Sequence, residues 1–305
     1  MEKYKNNLKV KITSTTTIIT LLAISMIVTI VGVKYSNRIE LTQLQANSNS
    51  QMMGYIIHTQ QNKTIVIDGG TKADSQNLEN NIKKYGSKVD YWFLTHPHKD
   101  HVGAFINIVE NTEIDIGTIY VSLNDLDWYK KYEGSRIEEI QELIELLQSD
   151  KIKDKVQEVS LTQDMQIDNI NVQILGVKNP EITENAVNNS SMVIKMNVNN
   201  KSILFLGDTG VQSGEKLLEN SKDKLKADIV QMAHHGQNGV TQEVYKAIQP
   251  TICLWPTPGW LWDNDNGGGT NSGDWKTLET RSWMENLKVK QNIVEKDGDL
   301  SLTIW

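Results

Sequence analysis

The sequence predicts an α+β protein in which β-sheets pack face to face and helices lie outside them. Two observations carry this. Strand-like runs outnumber helical ones, and the helical patterns come singly between strands, which suits a sheet-on-sheet core with outer helices. In addition, "GYIIHTQQNKTIVIDGG", "DSQNLENNIKKYG" and "VDYWFLT" follow one another as hairpin, helix and strand. They close a βαβ unit and leave the polar cluster after it at a carboxyl strand end, where α/β units tend to place ligands.

From Ile12 to Val33 there are 22 residues without a charge, about 33 Å as a helix and long enough for a bilayer core. Lys3, Lys5, Lys9 and Lys11 precede this run, and only Lys34 and Arg38 follow it closely. The positive-inside rule makes 1–11 a cytoplasmic basic tail, 12–33 a transmembrane signal anchor, and places the bulk of the chain outside the cytoplasm. No small-x-small cleavage site follows the run; were it cleaved, the product would be secreted. Residues 34–51 end in "QANSNSQ" and read as a linker or stalk, leaving 52–305 as the ordered domain.

Within that domain, "QQNK" is the expected loop of the first hairpin. Asp74 or Ser75 is suited to cap the following helix, Leu78, Ile82 and Tyr85 share its apolar face, and Gly86 suits its end. Further on, "RIEEIQELIELLQ" is amphipathic, with Ile137, Ile140, Leu143, Ile144 and Leu147 on one side. Then "NVQILGV", "SMVIKMNVNNKSILFLGD", "ADIVQMAHHG" and "PTICLWPTP" are strand-like, with helical stretches near 212–220 and 240–248. The final "NIVEKDGDLSLTIW" reads as a hairpin turning at Asp297-Gly298.

Hydrophobic content of 38% and charged content of 23% describe an ordinary globular chain. A single cysteine, Cys253, excludes an internal disulfide framework and a cysteine-based zinc site, and its apolar surroundings suit a buried structural thiol. Beyond residue 40 the chain carries 25 basic and 36 acidic residues, a net of −11. A protein gripping a nucleic-acid backbone is expected to show the opposite balance, so nucleic acid is the less favoured partner.

The chemistry concentrates in "FLTHPHKDHVGAF". Five of the six histidines lie there and in "MAHHG". Imidazole and carboxylate are natural ligands for zinc and related divalent ions. His96 and His98, two apart in a tight loop, can share one ion, while Asp100 and His101 can face a second. His234 and His235 read as one ligand and one neighbour. Asp208 ends the buried strand of "ILFLGDTG", as a ligand or as a turn former. Asp68 in "VIDGG" is a candidate to position the site, or a turn residue before Gly69-Gly70. Two bound ions would make a shared hydroxide available near neutral pH, suited to attack on phosphoryl or acyl centres.

"THPHKDH" resembles the HxHxDH signature of the metallo-β-lactamase fold, here after a β-α-β opening with "VIDGG", and "FLGD" and "AHHG" resemble its later motifs. The resemblance implies a four-layer αββα sandwich and two divalent metal ions, zinc first and manganese second. Within that superfamily the chain looks most like the ComEC-type competence-protein hydrolase domains and the phosphorylcholine esterases, which carry an Asn/Ser segment where this chain has "NNSSMVIKM". The resemblance implies His96 and His98 at one metal, Asp100 and His101 at the other, and Asp208 bridging. By analogy with the esterases His235 is the last ligand, leaving His234 to reach substrate and Asp100 to orient hydroxide or pass a proton. Many members have one more histidine before the bridging aspartate; Asn188 stands about there, as a weak ligand.

Trp255, Trp260, Trp262, Trp275 and Trp283 fall within 29 residues rich in Gly, Asn and Asp. Trp255, Trp260 and Trp262 are candidates for a wall receiving a quaternary ammonium, a sugar or a base; the competing role is to fasten a long loop. The expectation is a membrane-anchored, extracytoplasmic dinuclear-metal hydrolase acting on a small-molecule or cell-surface phosphoester or phosphodiester. The alternatives are a competence-type nuclease and a binding domain without turnover. A diiron oxidoreductase ranks lower, because that branch usually carries a glutamate where this chain has Lys99.

Overall fold

The structure, a computed structural model, describes residues 16–28 and 38–305. Residues 16–28 form helix α1, about 20 Å long at 1.5 Å per residue. Its side chains at Ile18, Leu22 and Met26 are exposed. Among the described residues no helix is long and apolar enough to cross a membrane. The remainder of the expected 12–33 anchor, and the basic tail before it, lie outside the described residues.

Two seven-stranded sheets form the centre. The first contains β1 (Ile39–Gln43), β2 (Gly54–Thr59), β3 (Thr64–Asp68), β4 (Lys88–Phe93), β5 (Asp115–Val121), β6 (Val156–Glu158) and the C-terminal β14 (Leu300–Ile304). Their spatial order is 14-1-2-3-4-5-6. The second contains β7 (Asp164–Ile167), β8 (Ile170–Gly176), β9 (Val193–Val198), β10 (Lys201–Phe205), β11 (Ile229–Gln231), β12 (Ile252–Trp255) and β13 (Gln291–Val294). Their order is 13-12-11-10-9-8-7.

Period-2 alternation assigns the layers. Tyr55, Ile57, Ile65, Ile67 and Phe93 of the first sheet meet Ile174, Ile194, Met196, Ile203 and Phe205 of the second in the core between the sheets. The rings of Tyr55 and Phe205 stand 5.2 Å apart there. The intervening residues Ile56, Val66 and Trp92 face outward and are covered by α2 (Ser75–Lys83), α3 (Lys99–Asn111) and α5 (Ile137–Gln148), through Leu78, Phe105 and Leu143 among others. On the far side Leu204, Val230 and Cys253 are covered by α6 (Val211–Ser221), α7 (Gln242–Ile248) and α9 (Thr277–Asn286). The arrangement is the expected αββα sandwich. Shorter helices α4 (Leu126–Tyr132) and α8 (Gly259–Trp262) sit in the connections.

Two expectations are corrected. The linker assigned to 34–51 contains β1, paired on one side with β2 (Leu41 opposite Ile57) and on the other with β14 (Leu41 opposite Leu302). Ile39 and Leu41 are buried, and they alternate inward just before the polar "QANSNSQ" begins. The C-terminal hairpin is also absent. β13 pairs in parallel with β12 in the second sheet, whereas β14 pairs antiparallel with β1 in the first. The chain crosses the sandwich through a short turn at Glu295–Asp297, and Gly298 at φ 112° completes it. An Asp-Gly pair signals a turn, but the partner of each strand is decided by contacts far away in sequence.

Glu295 is buried at that crossing. One carboxyl oxygen accepts from the Ala46 amide at 3.1 Å, and the other has no partner. Burial pushes its carboxyl up to about 8, against an opposing pull from His235. An unfolded glutamate titrates near 4.3, so the folded chain keeps this proton to higher pH. The associated stability is complete below the unfolded value and is lost as pH rises through about 8. Glu295→Gln should therefore be nearly neutral in urea unfolding at pH 4 and stabilise by on the order of a few kcal/mol at pH 9. The same difference at both pH values would contradict a buried protonated carboxyl.

Candidate metal centre

The loops after β4, β10 and β11 meet at one edge of the sandwich. His96 and His98 occupy the loop after β4, and Asp100 and His101 the first turn of α3. Asp208 follows β10, and His234 and His235 follow β11. Gln231, at the end of β11, ties two of these loops together. Its side-chain oxygen accepts from the amides of Leu206 and Gly207 at 2.7 and 2.8 Å, and its amide donates to the carbonyls of Gly207 and Met232.

Each of the four histidines facing Asp208 has one ring nitrogen held by an acceptor, which leaves the other turned inward. His101 Nδ1 is 2.7 Å from Asp68 Oδ2. His235 Nδ1 is 2.8 Å from the Pro256 carbonyl. His96 Nδ1 lies 3.2 Å from Thr95 Oγ1, whose own proton goes to Asp68 Oδ2 at 2.6 Å. His98 Nε2 lies 3.5 Å from Glu133 Oε1. The Asp68 carboxylate and the Pro256 carbonyl can only accept, so Nδ1 of His101 and of His235 carries a proton and Nε2 is the atom left for a cation.

The inward atoms form two groups that share Asp208: Asp100, His101, Asp208 and His235 in one, and His96, His98 and Asp208 in the other. His101 Nε2 is 3.3 Å from Asp208 Oδ1, and His235 Nε2 is 3.2 Å from Asp100 Oδ2 and 3.5 Å from Asp208 Oδ2. His96 Nε2 is 3.0 Å from His98 Nδ1 and 3.7 Å from Asp208 Oδ2. Ligands at ~2.0–2.1 Å from one tetrahedral ion stand about 3.3 Å from each other, so these separations fit. His101 Nε2, His235 Nε2 and Asp208 Oδ1 are buried without a hydrogen-bond partner, as atoms reserved for a cation would be. The residues present therefore fit two divalent ions.

The electrostatics agree. Burial works against charge on His101, yet Asp208 and Asp68 outweigh it and push its imidazole up to about 10. His235 is also raised against burial, by Asp208 and Asp100. Desolvation opposes the ionised form of Asp208, but His101 and His235 hold its carboxyl well below the usual range. A cation entering this group takes the place of protons on His101 and His235.

The two histidines of the pair differ in their surroundings. His235 belongs to a ligand group, whereas His234 lies 3.9 Å from Asp208 Oδ2 and 3.3 Å from the Asn188 side-chain nitrogen. Asn188 is buried, and its side-chain oxygen has no partner. His234 and His235 both adopt left-handed backbone, at φ 50° and 54°, followed by Gly236 at φ 76°. Non-glycine residues there cost about 1–2 kcal/mol each. A side chain at Gly236 would lie 2.4 Å from the Trp255 ring.

That contact corrects the reading of the tryptophans. Trp255 is fully buried, supports Gly236 from beneath and donates to Asn292 Oδ1 at 2.8 Å, so it cannot wall a substrate. Trp262 packs edge-on against Trp255 and under the Arg281 guanidinium at 4.1 Å. Of the three candidates, Trp260 alone borders the cleft next to Asp100. Glu133 and Gln231 escaped sequence reading because no local pattern distinguishes them; Ser191, in the "NNSSMVIKM" segment, has a hydroxyl that accepts from the Asp208 amide at 3.0 Å, a contact that nothing along the chain signals.

Residues 53–252 match the Metallo-beta-lactamase superfamily. Over 100 residues the chain is 29% identical to ComE operon protein 3 of Bacillus subtilis (strain 168), a stretch making up 32% of this chain and 12% of that protein. The chain thus spans only a small part of that relative. In fold it is similar to the metallo-beta-lactamase fold protein YhfI from Bacillus subtilis, with TM-score 0.55, 12% identity, and coverage of 88% of this chain and 100% of that one. It is also similar to CmlA, a diiron beta-hydroxylase from Streptomyces venezuelae, with TM-score 0.52, 13% identity, and coverage of 88% and 54%.

Glu133 supplies a test of the ligand geometry. Its hydrogen bond with His98, ahead of desolvation, holds its carboxyl below the ordinary value. Arg136 Nη1 also lies 3.4 Å from His98 Nε2, but only Glu133 can accept the proton that leaves Nδ1 free. Glu133→Gln should weaken metal retention in the His96/His98 half by about 10-fold or more. Chelator competition followed by metal analysis should then show one equivalent leaving well before the other. Retention equal to the parent protein would contradict this role.

Proposed function

The chain belongs to the metallo-beta-lactamase superfamily, and from that premise we propose that it is a dinuclear metal-dependent hydrolase of phosphoester or phosphodiester bonds. The observation that carries the reading is the ring of inward-facing nitrogens around Asp208, each fixed from behind by an acceptor. His96, His98 and Asp208 would hold one ion and Asp100, His101, Asp208 and His235 the other, zinc first by donor chemistry and manganese second. When bound, the ions supply Lewis-acid charge at the attacked centre and lower the pKa of water towards 7.

The chain's own groups do the rest. Asp68 and the Pro256 carbonyl fix the rings of His101 and His235, so the ligands need no rearrangement. Asp100 is the ligand that borders the cleft, with its side chain 20% exposed. This places it to orient a water or to pass a proton to the leaving group. His234 stands beside Asp208 without joining either ligand group, its Nε2 3.3 Å from the Asn188 side-chain nitrogen, and exchanging that contact would bring it to the ester's oxygens.

A second reading, nucleic-acid processing of the competence type, is favoured by the 100-residue likeness to ComE operon protein 3. The net charge of −11 beyond residue 40 weighs against it. Attachment to a membrane through the apolar 12–33 run, with the hydrolase outside the cytoplasm, belongs to the same proposal and rests on the charge pattern around that run.

The chain loaded with zinc or manganese should hydrolyse bis(p-nitrophenyl) phosphate, and Asp208→Ala should reduce turnover to background while losing bound metal. A protein that carries two equivalents and hydrolyses no phosphoester would overturn the proposal. Undiminished turnover in Asp208→Ala would show that the ligand set is wrong.

A further inference from the structure

Asp100 borders a cleft of about 320 Å³ whose other walls are Ser50, Gln51, Thr71, Lys99, Arg136 and Trp260. Several of these groups are already engaged. Thr71 Oγ1 donates to Asp74 Oδ2 at 2.6 Å, Ser50 Oγ is paired with Ser48 Oγ at 2.6 Å, and Trp260 Nε1 donates to the Asn49 carbonyl at 2.9 Å. What remains is the Gln51 amide and two cations. The Gln51 side-chain nitrogen is buried and makes no hydrogen bond. The Lys99 and Arg136 side chains are both more than half exposed, with Arg136 Nη1 3.4 Å from His98 Nε2. Their acidic neighbours, Glu139 and Glu133, lie at 3.7 Å in each case. Contacts of that length at a surface bind weakly and leave most of the donor capacity open. The carboxylate in the cleft, Asp100, is turned to His235 at 3.2 Å.

A cleft walled by two exposed cations beside an unmet amide donor, whose one carboxylate, Asp100, is engaged with His235, suits an acceptor-rich anion. A quaternary ammonium placed there would face Lys99 and Arg136. The cleft is also larger than one phosphoryl group, so it reaches beyond the ester that the metal ligands address. We propose that Lys99, Arg136 and Gln51 form a subsite for a second phosphoryl group, carried by the substrate beyond its scissile phosphoester, with the Trp260 ring flanking the segment that joins the two. This rests on the phosphoesterase reading above and narrows its substrate class to compounds with two phosphoryl groups.

Two chromogenic esters with one leaving group separate the ideas: thymidine 5′-(p-nitrophenyl phosphate) and the same compound bearing a 3′-phosphate. The 3′-phosphate should lower KM by about tenfold for the metal-loaded protein, as a set of charge-assisted hydrogen bonds does. Lys99→Gln with Arg136→Gln should erase that preference, and Lys99→Gln alone should reduce it. Calorimetry should show thymidine 3′,5′-bisphosphate binding about tenfold more tightly than thymidine 5′-phosphate. It should also show the advantage lost in the double variant, compared with the parent protein at equal metal loading. Equal KM values for the two esters, or a preference that survives the double variant, overturns the subsite. If neither ester is hydrolysed, the phosphoesterase reading fails and calorimetry decides the subsite: equal affinities for the two nucleotides reject it.

Discussion

A carboxylate buried at the seam between two sheets is the constraint on which the rest of this structure depends. Asp208 is 2% exposed, and four imidazoles face it or its immediate neighbours. Burying ionised carboxylates is costly unless they are paired. Here Asp68 and Asp208 are both buried, and Asp100 is largely so. The fold meets that cost by bringing His101 between Asp68 and Asp208 and His235 between Asp100 and Asp208. Divalent cations in the same space satisfy the same carboxylates with greater charge, so ligand binding and folding stability are coupled at this edge.

That constraint accounts for features that would otherwise look arbitrary. Asp68 accepts from the Thr95 amide and hydroxyl as well as from His101, so one carboxylate both aims a ligand and anchors the loop bearing His96. Asp68 itself sits at φ 53°, a strained conformation for a non-glycine residue at the end of β3. His234 and His235 are strained in the same way, and their run into Gly236 is held by Trp255 beneath it and by Thr257, whose hydroxyl donates to the His235 carbonyl at 2.7 Å. Strain concentrated where the ligands are aimed, and opposed by well-packed neighbours, is the expected signature of a preorganised site.

The layers and the cluster of candidate ligands were legible in the sequence because both leave local patterns. Alternation in "TIVID" and "ILF", helical spacing in "IEEIQELIELLQ", and a dense histidine cluster at a strand end each report on themselves. β1 and the crossing between β13 and β14 were not legible, since a five-residue run and an Asp-Gly turn look alike whichever sheet they join. Trp255 was misread because a tryptophan near ligand motifs looks the same in sequence whether it lies under the backbone or beside a substrate. Glu133 reaches His98 from 35 positions away through the start of α5's connection, and no spacing rule links the two. The pattern is physical: what depends on neighbours along the chain can be read, and what depends on long-range pairing must be seen.

The proposed centre stands on two ions sharing Asp208. Anomalous scattering at the zinc edge from crystals of the zinc-loaded protein tests it directly. Two peaks about 3.5–4 Å apart are expected, one bonded to His96 and His98, the other to Asp100, His101 and His235, with Asp208 bonded to both. A single peak, or a second peak out of reach of Asp208, would contradict it.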